Sequence, residues 1–171
     1  ITQQLAKMLF HKRERANTLE KILQKLKEWI IAVRLERQYT KNEILTMYLN
    51  RFDFVNNAVG LKSASQVYFN TTPDSLSINE AAVLVGMAKN PSLYNPNRRL
   101  ELTTNRRNVV LGQMMRNDVI EEEVFDSLTQ LPLLLDFQRV DHKDGSAPYF
   151  REALRAYLHK LTSAKDEAGN Y

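Results

Sequence analysis

Residues Ser77 to Ala88 read SINEAAVLVGMA. Ser77 with Glu80 three residues on forms a capping box, in which the hydroxyl accepts from the N3 amide and the carboxylate reaches back to the cap. From Asn79 to Ala88 the segment is apolar nearly all round, and a helix of that kind is normally buried at a domain centre. The chain holds only 5 Gly and 5 Pro in 171 residues, too few turn signals for a many-stranded β protein. The expected class is all-α.

The same reading extends in both directions. Downstream, KNPSLYNPNRR carries two prolines and marks an extended loop. Leu102 to Arg116 follows as a helix carrying Arg106 and Arg107, and Glu121 to Leu128 as a short acid-led one. Leu131 to Pro148 has no helical period and reads as extended, before a last helix, YFREALRAYLHKL, and a polar tail over 165–171. Upstream, Ala58 to Phe69 reads as a short helix behind an ordered aromatic loop, RFDFVNN, at 51–57. Thr40 with Glu43 is a second capping box, opening a helix that ends near Asn50. Thr18 to Arg37 is a long amphipathic helix in which Leu19, Leu23, Leu26, Ile30 and Val33 recur at spacings of three and four as an apolar stripe. HKRERAN, His11 to Asn17, reads as a loop, and residues 1–10 as helical with Gln3 and Lys7 on one face.

Hydrophobic content of 43% and charged content of 26% suit a globular chain with a real core. The net charge of +4 gathers in the first 40 residues, which suits phosphate groups, nucleic acid or an anionic membrane surface without choosing among them. No cysteine is present, so disulfides and thiolate metal sites are excluded. No apolar run of membrane-spanning length occurs. The first residue is Ile1, and the chain is expected to start inside a longer protein.

Histidine offers no chemistry: His11, His142 and His159 lie far apart, and a zinc site is not expected. There is no glycine-rich phosphate loop and no G-x-S-x-G element. Lys25, Lys27 and Glu28 in QKLKEW are more informative, because Lys25 and Glu28 are three apart on a helix and can touch. Spacing alone leaves two readings open: an ordinary surface ion pair, or a carboxylate held among cations near a phosphate-bearing substrate. Arg106 and Arg107 pose the same choice, since adjacent arginines near a helix start are commonly solvated or paired, here with Glu101.

Several segments, in order, resemble the peptidoglycan glycosyltransferases (glycosyltransferase family 51), found alone or in class A penicillin-binding proteins. ITQQLAK at 1–7 is similar to the end of the family's GGSTITQQ-x-x-K motif, and QKLKE at 24–28 to R-K-x-x-E. KNEILTMYLN at 41–50 resembles K-x-x-I-L-x-x-Y-L-N, and RRNVVLGQM at 106–114 matches R-R-x-x-V-L-x-x-M. NEAAVLVGMAKNPSLYNP resembles E-A-A-x-L-A-G-x-x-x-x-P-x-x-Y-N-P. The resemblance covers roughly residues 1–130. The remainder, 131–171, contains GSAPYFREALRAYL, similar to the stretch leading towards the transpeptidase domain of bifunctional members. Three departures stand out. The first motif, E-D-x-x-F-x-x-H-x-G, with the carboxylate regarded as general base, is absent; Gln24 replaces the Arg of the third; Val55 stands where the family has Gly.

The resemblance implies a lysozyme-like helical large lobe plus a membrane-proximal jaw, here without the N-terminal part, with residues 8–50 supplying much of the jaw. It implies inverting transfer between lipid II molecules, giving β-1,4 glycan and undecaprenyl pyrophosphate. Glu28 would be the second catalytic carboxylate, with Lys25 and Lys27 as cationic neighbours. Gln4, Lys7, Asn90 and Arg106 would contact substrate, and Arg107 would do so or be structural. A divalent cation, Mg or Mn, could accompany the donor pyrophosphate, with no organic cofactor. Expected partners are lipid II, the glycan strand, cell-wall synthesis proteins and the membrane surface, which Leu9, Phe10, Phe52 and Phe54 could touch; for Leu9 and Phe10 core packing is an equal reading, and for Phe52 and Phe54 it is the favoured one. The expected location is the extracytoplasmic face of a bacterial cytoplasmic membrane. Without the first motif the 171 residues are expected to be inactive. A nucleic-acid module fits the basic half less well, because Glu14, Glu20 and Glu28 interrupt it and no recognition helix stands out. A hydrolase would want a paired carboxylate that is not identifiable. A helical scaffold that has lost activity is the third alternative.

Overall fold

The structure is a computed structural model that describes residues 1–10, 18–138 and 147–163. The chain divides into two units, Ile1–Gln138 and Arg139–Tyr171. Among the described residues there are eight α-helices and no strand, only an isolated bridge between Asp53 and Val59. The helices are α1 Thr2–Phe10, α2 Thr18–Gln38, α3 Lys41–Arg51, α4 Leu61–Phe69, α5 Ile78–Met87, α6 Leu100–Arg116 and α7 Glu122–Gln130 in the first unit, and α8 Pro148–Ser163 in the second. The expected loop at His11–Asn17 lies outside the described residues, as do 139–146 and the polar tail.

Both capping boxes form. Glu80 accepts the Ser77 amide at 2.8 Å and Glu43 the Thr40 amide at 2.8 Å, so each helix starts where the S/T-x-x-E pattern places it. Glu43 is held below the ordinary carboxylate range, first by the Thr40 backbone N–H and then by its hydroxyl. The central helix α5 buries Ala82, Val83, Leu84, Gly86 and Met87. Val83, Leu84 and Met87 join Phe54, Ala58, Ala64, Val67, Tyr68 and Phe69 in one core, while Ala82 meets Val110 and Leu111 of α6 in another. A third gathers Leu5 and Ala6 of α1, Leu35 of α2, and Ile44 and Tyr48 of α3.

The apolar stripe of α2 faces outward: Leu23, Leu26, Ile30 and Val33 are exposed, while the side chain of Leu19 is not described. The helix instead buries Glu28, Ala32 and Leu35, and α1 and α3 pack upon it; Ala32 and Leu35 fill the contact without the larger stripe residues. Phe54 is fully buried and Phe52 stacks on it edge-on at 4.9 Å, so both belong to the core rather than to a lipid-facing surface. Leu9 and Phe10 are exposed. The first unit runs to Gln138. Leu133, Leu135 and Phe137 alternate inward onto the first core, and the Gln138 amide bonds the Val67 carbonyl at 2.8 Å. That alternation is the signature of an extended half-buried segment.

The turn before α4 carries three successive left-handed residues, Val55 (φ 67°), Asn56 (52°) and Asn57 (63°). Asparagine tolerates this region, but a β-branched valine does so only under strain. The Val55 amide is anchored by Asp53 Oδ1 at 2.8 Å, and Ala58 returns its amide to the Val55 carbonyl at 2.9 Å. Beneath the turn, Tyr68 donates to the Phe54 carbonyl at 2.7 Å and accepts from Asn56 Nδ2 at 3.0 Å.

Candidate active site

The site residues fall into two clusters carried by different elements. The first is on α2, where Lys25 Nζ donates to Glu28 Oε2 at 2.6 Å. Glu28 is only 5% exposed, so this is no ordinary surface ion pair. A carboxylate taken out of water needs compensation, and a charge-assisted bond from an ammonium supplies part of it. Lys25 itself stays largely in solvent. Lys27 is exposed on the same helix. Gln4 and Lys7 project from the exposed side of α1, whose Leu5 and Ala6 bury against the α2–α3 pair. Beside the ion pair, Ile22, Leu26 and Trp29 line an apolar groove with Lys21 and Lys25 on its walls. Trp29 is 63% exposed.

The second cluster lies between α5 and α6. Asn90 accepts the Leu93 amide on its side-chain oxygen at 3.0 Å, and its carbonyl takes the Tyr94 amide at 2.9 Å. This Asx-type closure fixes the turn over 90–94. Tyr94 then places its ring 5.7 Å from the Arg106 guanidinium carbon, within cation–π range.

Arg107, read from the sequence as a substrate contact or as structural, is turned into the protein. It is fully buried, and its guanidinium donates to Thr129 and Leu131 carbonyls and to Asn108 Oδ1 at 2.9 to 3.2 Å. Burial pulls its pKa below the ordinary value. A cation on the open carbonyls at the end of α7 is a C-terminal cap, and Arg107 belongs to the scaffold. Adjacent residues on a helix point about a quarter-turn apart, so one arginine of the pair can face the core while its neighbour faces outward.

Tyr94 and Gly86 fall on letters of the E-A-A-x-L-A-G-x-x-x-x-P-x-x-Y-N-P segment, but sequence reasoning assigned neither a role. An aromatic two residues before a proline and a glycine in an apolar helix are weak signals singly; both touch Arg106 only after folding.

Among the described residues no three His, Cys, Asp or Glu side chains gather, and Glu28 holds the Lys25 ammonium. No helix of the described residues is long and apolar enough to cross a membrane.

With helices α1 to α6 bearing these groups in this order, comparison with known proteins becomes decisive. Residues 1–115 match the transglycosylase family, and the chain belongs to it. It is 37% identical over 159 residues to penicillin-binding protein 1A of Escherichia coli strain K12, covering 93% of this chain and 18% of that protein. Penicillin-binding protein 1A of Aquifex aeolicus is 37% identical over 158 residues (92% and 21% covered), and penicillin-binding protein 1B of Haemophilus influenzae 37% over 173 residues (95% and 21%). The crystal structure of Haemophilus influenzae penicillin-binding protein 1A shares the fold, with a TM-score of 0.53 at 23% identity over 94% of this chain and 19% of that one. The chain thus spans about a fifth of the length of these relatives.

Proposed function

We propose that this chain carries the donor-site half of a peptidoglycan polymerase that joins lipid II molecules into β-1,4 glycan and releases undecaprenyl pyrophosphate. The observation that carries the reading is the buried Glu28 clasped by Lys25 at 2.6 Å, at the position that resembles the family's third motif. In this mechanism the acceptor 4-hydroxyl loses its proton to a general base and attacks the anomeric carbon from the face opposite the leaving diphosphate. A diphosphate departs readily once its charge is neutralised, so cations matter more than a strong acid. Lys25, Lys27, Lys7 and Arg106 supply that charge, Gln4 a neutral hydrogen-bonding group, and Glu28 orients the ammonium beside it.

The exposed apolar row of α2, with Leu9 and Phe10 of α1, supports a jaw that rests on the extracytoplasmic face of the cytoplasmic membrane. Cell-wall synthesis proteins would be its other partners.

The test is glycan-chain formation from lipid II by the native full-length protein, wild type against Glu28→Gln. Loss of most of the rate in the variant, with wild type active, is the expected result. Equal rates would reduce Glu28 to a structural carboxylate, and an inactive wild type would move the scaffold reading ahead.

A further inference from the structure

Arg106 is held from two sides by Tyr94 and Gly86, two letters of the E-A-A-x-L-A-G-x-x-x-x-P-x-x-Y-N-P segment to which the proposed reaction gives no role. We infer that Tyr94 and Gly86 are positioning residues that aim the Arg106 guanidinium at the anionic leaving group of the donor. The inference rests on the proposed polymerase reading, in which Arg106 meets a diphosphate.

The geometry runs in sequence. Asn90 closes the turn that presents Tyr94, with the Leu93 amide on its side chain and the Tyr94 amide on its carbonyl. The Tyr94 ring lies 5.7 Å from Arg106 Cζ. On the other side, the stem of Arg106 crosses α5 at Gly86, where an added Cβ would stand 3.0 Å from Arg106 Cγ. Gly86 is buried in the middle of an apolar helix where alanine would favour the helix by about 1 kcal/mol. The room it leaves is filled by the arginine. Arg106 Nε is buried with no hydrogen-bond partner. Among the described residues no carboxylate pairs with this side chain, which is directed by shape and by the ring. A guanidinium placed on an aromatic face keeps its charge and its outer N–H groups for a ligand, whereas an ion pair would spend them. Asn90 thereby acts through the turn, Tyr94 through its ring and Gly86 through the space it leaves.

The experiment measures glycan formation from lipid II by the full-length native protein carrying Tyr94→Phe, Tyr94→Leu, Gly86→Ala, Arg106→Gln and the double variant Tyr94→Leu/Arg106→Gln, with thermal unfolding recorded for each. Tyr94→Phe keeps the ring and is expected to stay within about twofold of wild type, while Tyr94→Leu loses about five- to tenfold. In the Arg106→Gln background Tyr94→Leu adds no further loss, because its effect runs through the arginine. A full additional loss in the double variant, or an unchanged rate in Tyr94→Leu, would overturn the inference while leaving the polymerase reading intact. An unchanged rate in Arg106→Gln would remove Arg106 from the donor site and the inference with it. Should Tyr94→Leu not fold, Gly86→Ala decides from the opposite side: a several-fold loss that vanishes in the Arg106→Gln background supports the inference, and a wild-type rate overturns it.

Discussion

The Arg107 guanidinium donates to the Leu131 carbonyl at 2.9 Å, tying α6 to the end of α7 across 24 residues of chain. The same group takes the Thr129 carbonyl, so one buried cation satisfies backbone acceptors that α7 leaves open at its C-terminus. Arg107→Ala leaves those carbonyls and Asn108 without their donors and opens a cavity. The expected loss is about 3 kcal/mol or more in a denaturant titration. Arg107→Lys should recover little, because a point ammonium cannot reproduce the planar fork. A loss under about 1 kcal/mol would mean that water replaces the cap.

Val55 sits in the left-handed region at φ 67° between Asp53 and two left-handed asparagines. A β-branched residue there carries about 1–2 kcal/mol of steric cost, and glycine returns part of that as extra freedom in the unfolded chain. Val55→Gly should raise stability by up to about 1 kcal/mol, seen as a higher denaturation midpoint at unchanged slope. A lower midpoint would show that the valine side chain packs better than its backbone suffers.

Gly60 adopts φ 83°, and a Cβ built there would stand 2.7 Å from the Asn50 carbonyl oxygen. The close approach lets the Gly60 amide reach the Phe52 carbonyl at 2.8 Å and turns the chain into α4. Gly60→Ala combines a disfavoured backbone with a clash against main chain, and should cost at least about 2 kcal/mol by chemical denaturation. A near-neutral result would require α3 to move away from the turn without loss.

Tyr68 is buried, and desolvation raises its pKa from 10.0 to about 12, with Asn56 opposing. The folded state then holds the phenolic proton longer than the unfolded chain does. Stability is fully present below pH 10 and falls as pH rises through 10 towards 12, by about 2–3 kcal/mol in all. Tyr48, raised by burial, acts in the same direction. Tyr68→Phe should flatten most of this slope in unfolding curves taken between pH 9 and 12, while costing about 1 kcal/mol at neutral pH for the lost bond to the Phe54 carbonyl. An unchanged slope in the variant would assign the alkaline transition to other groups.

Local grammar was enough for much of this chain. Both capping boxes, the all-helical class, the central helix α5 and the extended run after Leu131 follow from nearest-neighbour chemistry, which acts over three or four residues and so is written in the sequence. The contact between Lys25 and Glu28 was equally legible, because helical spacing alone brings them together. Its meaning was not, since the burial of Glu28 depends on tertiary packing and not on α2 alone. The same limit applies to the apolar row of α2: amphipathic periodicity finds a stripe but cannot say whether protein or something else covers it. Arg106 and Arg107 are the sharpest case. Two identical neighbours became a fully buried cap and a cation facing a tyrosine ring, because α7 docks on one side of α6 and the 90–94 turn on the other. Sequence determined which helices form and which charges they carry; tertiary packing alone decided which of those charges are buried and which are left to meet a ligand, because burial is set by elements far apart along the chain.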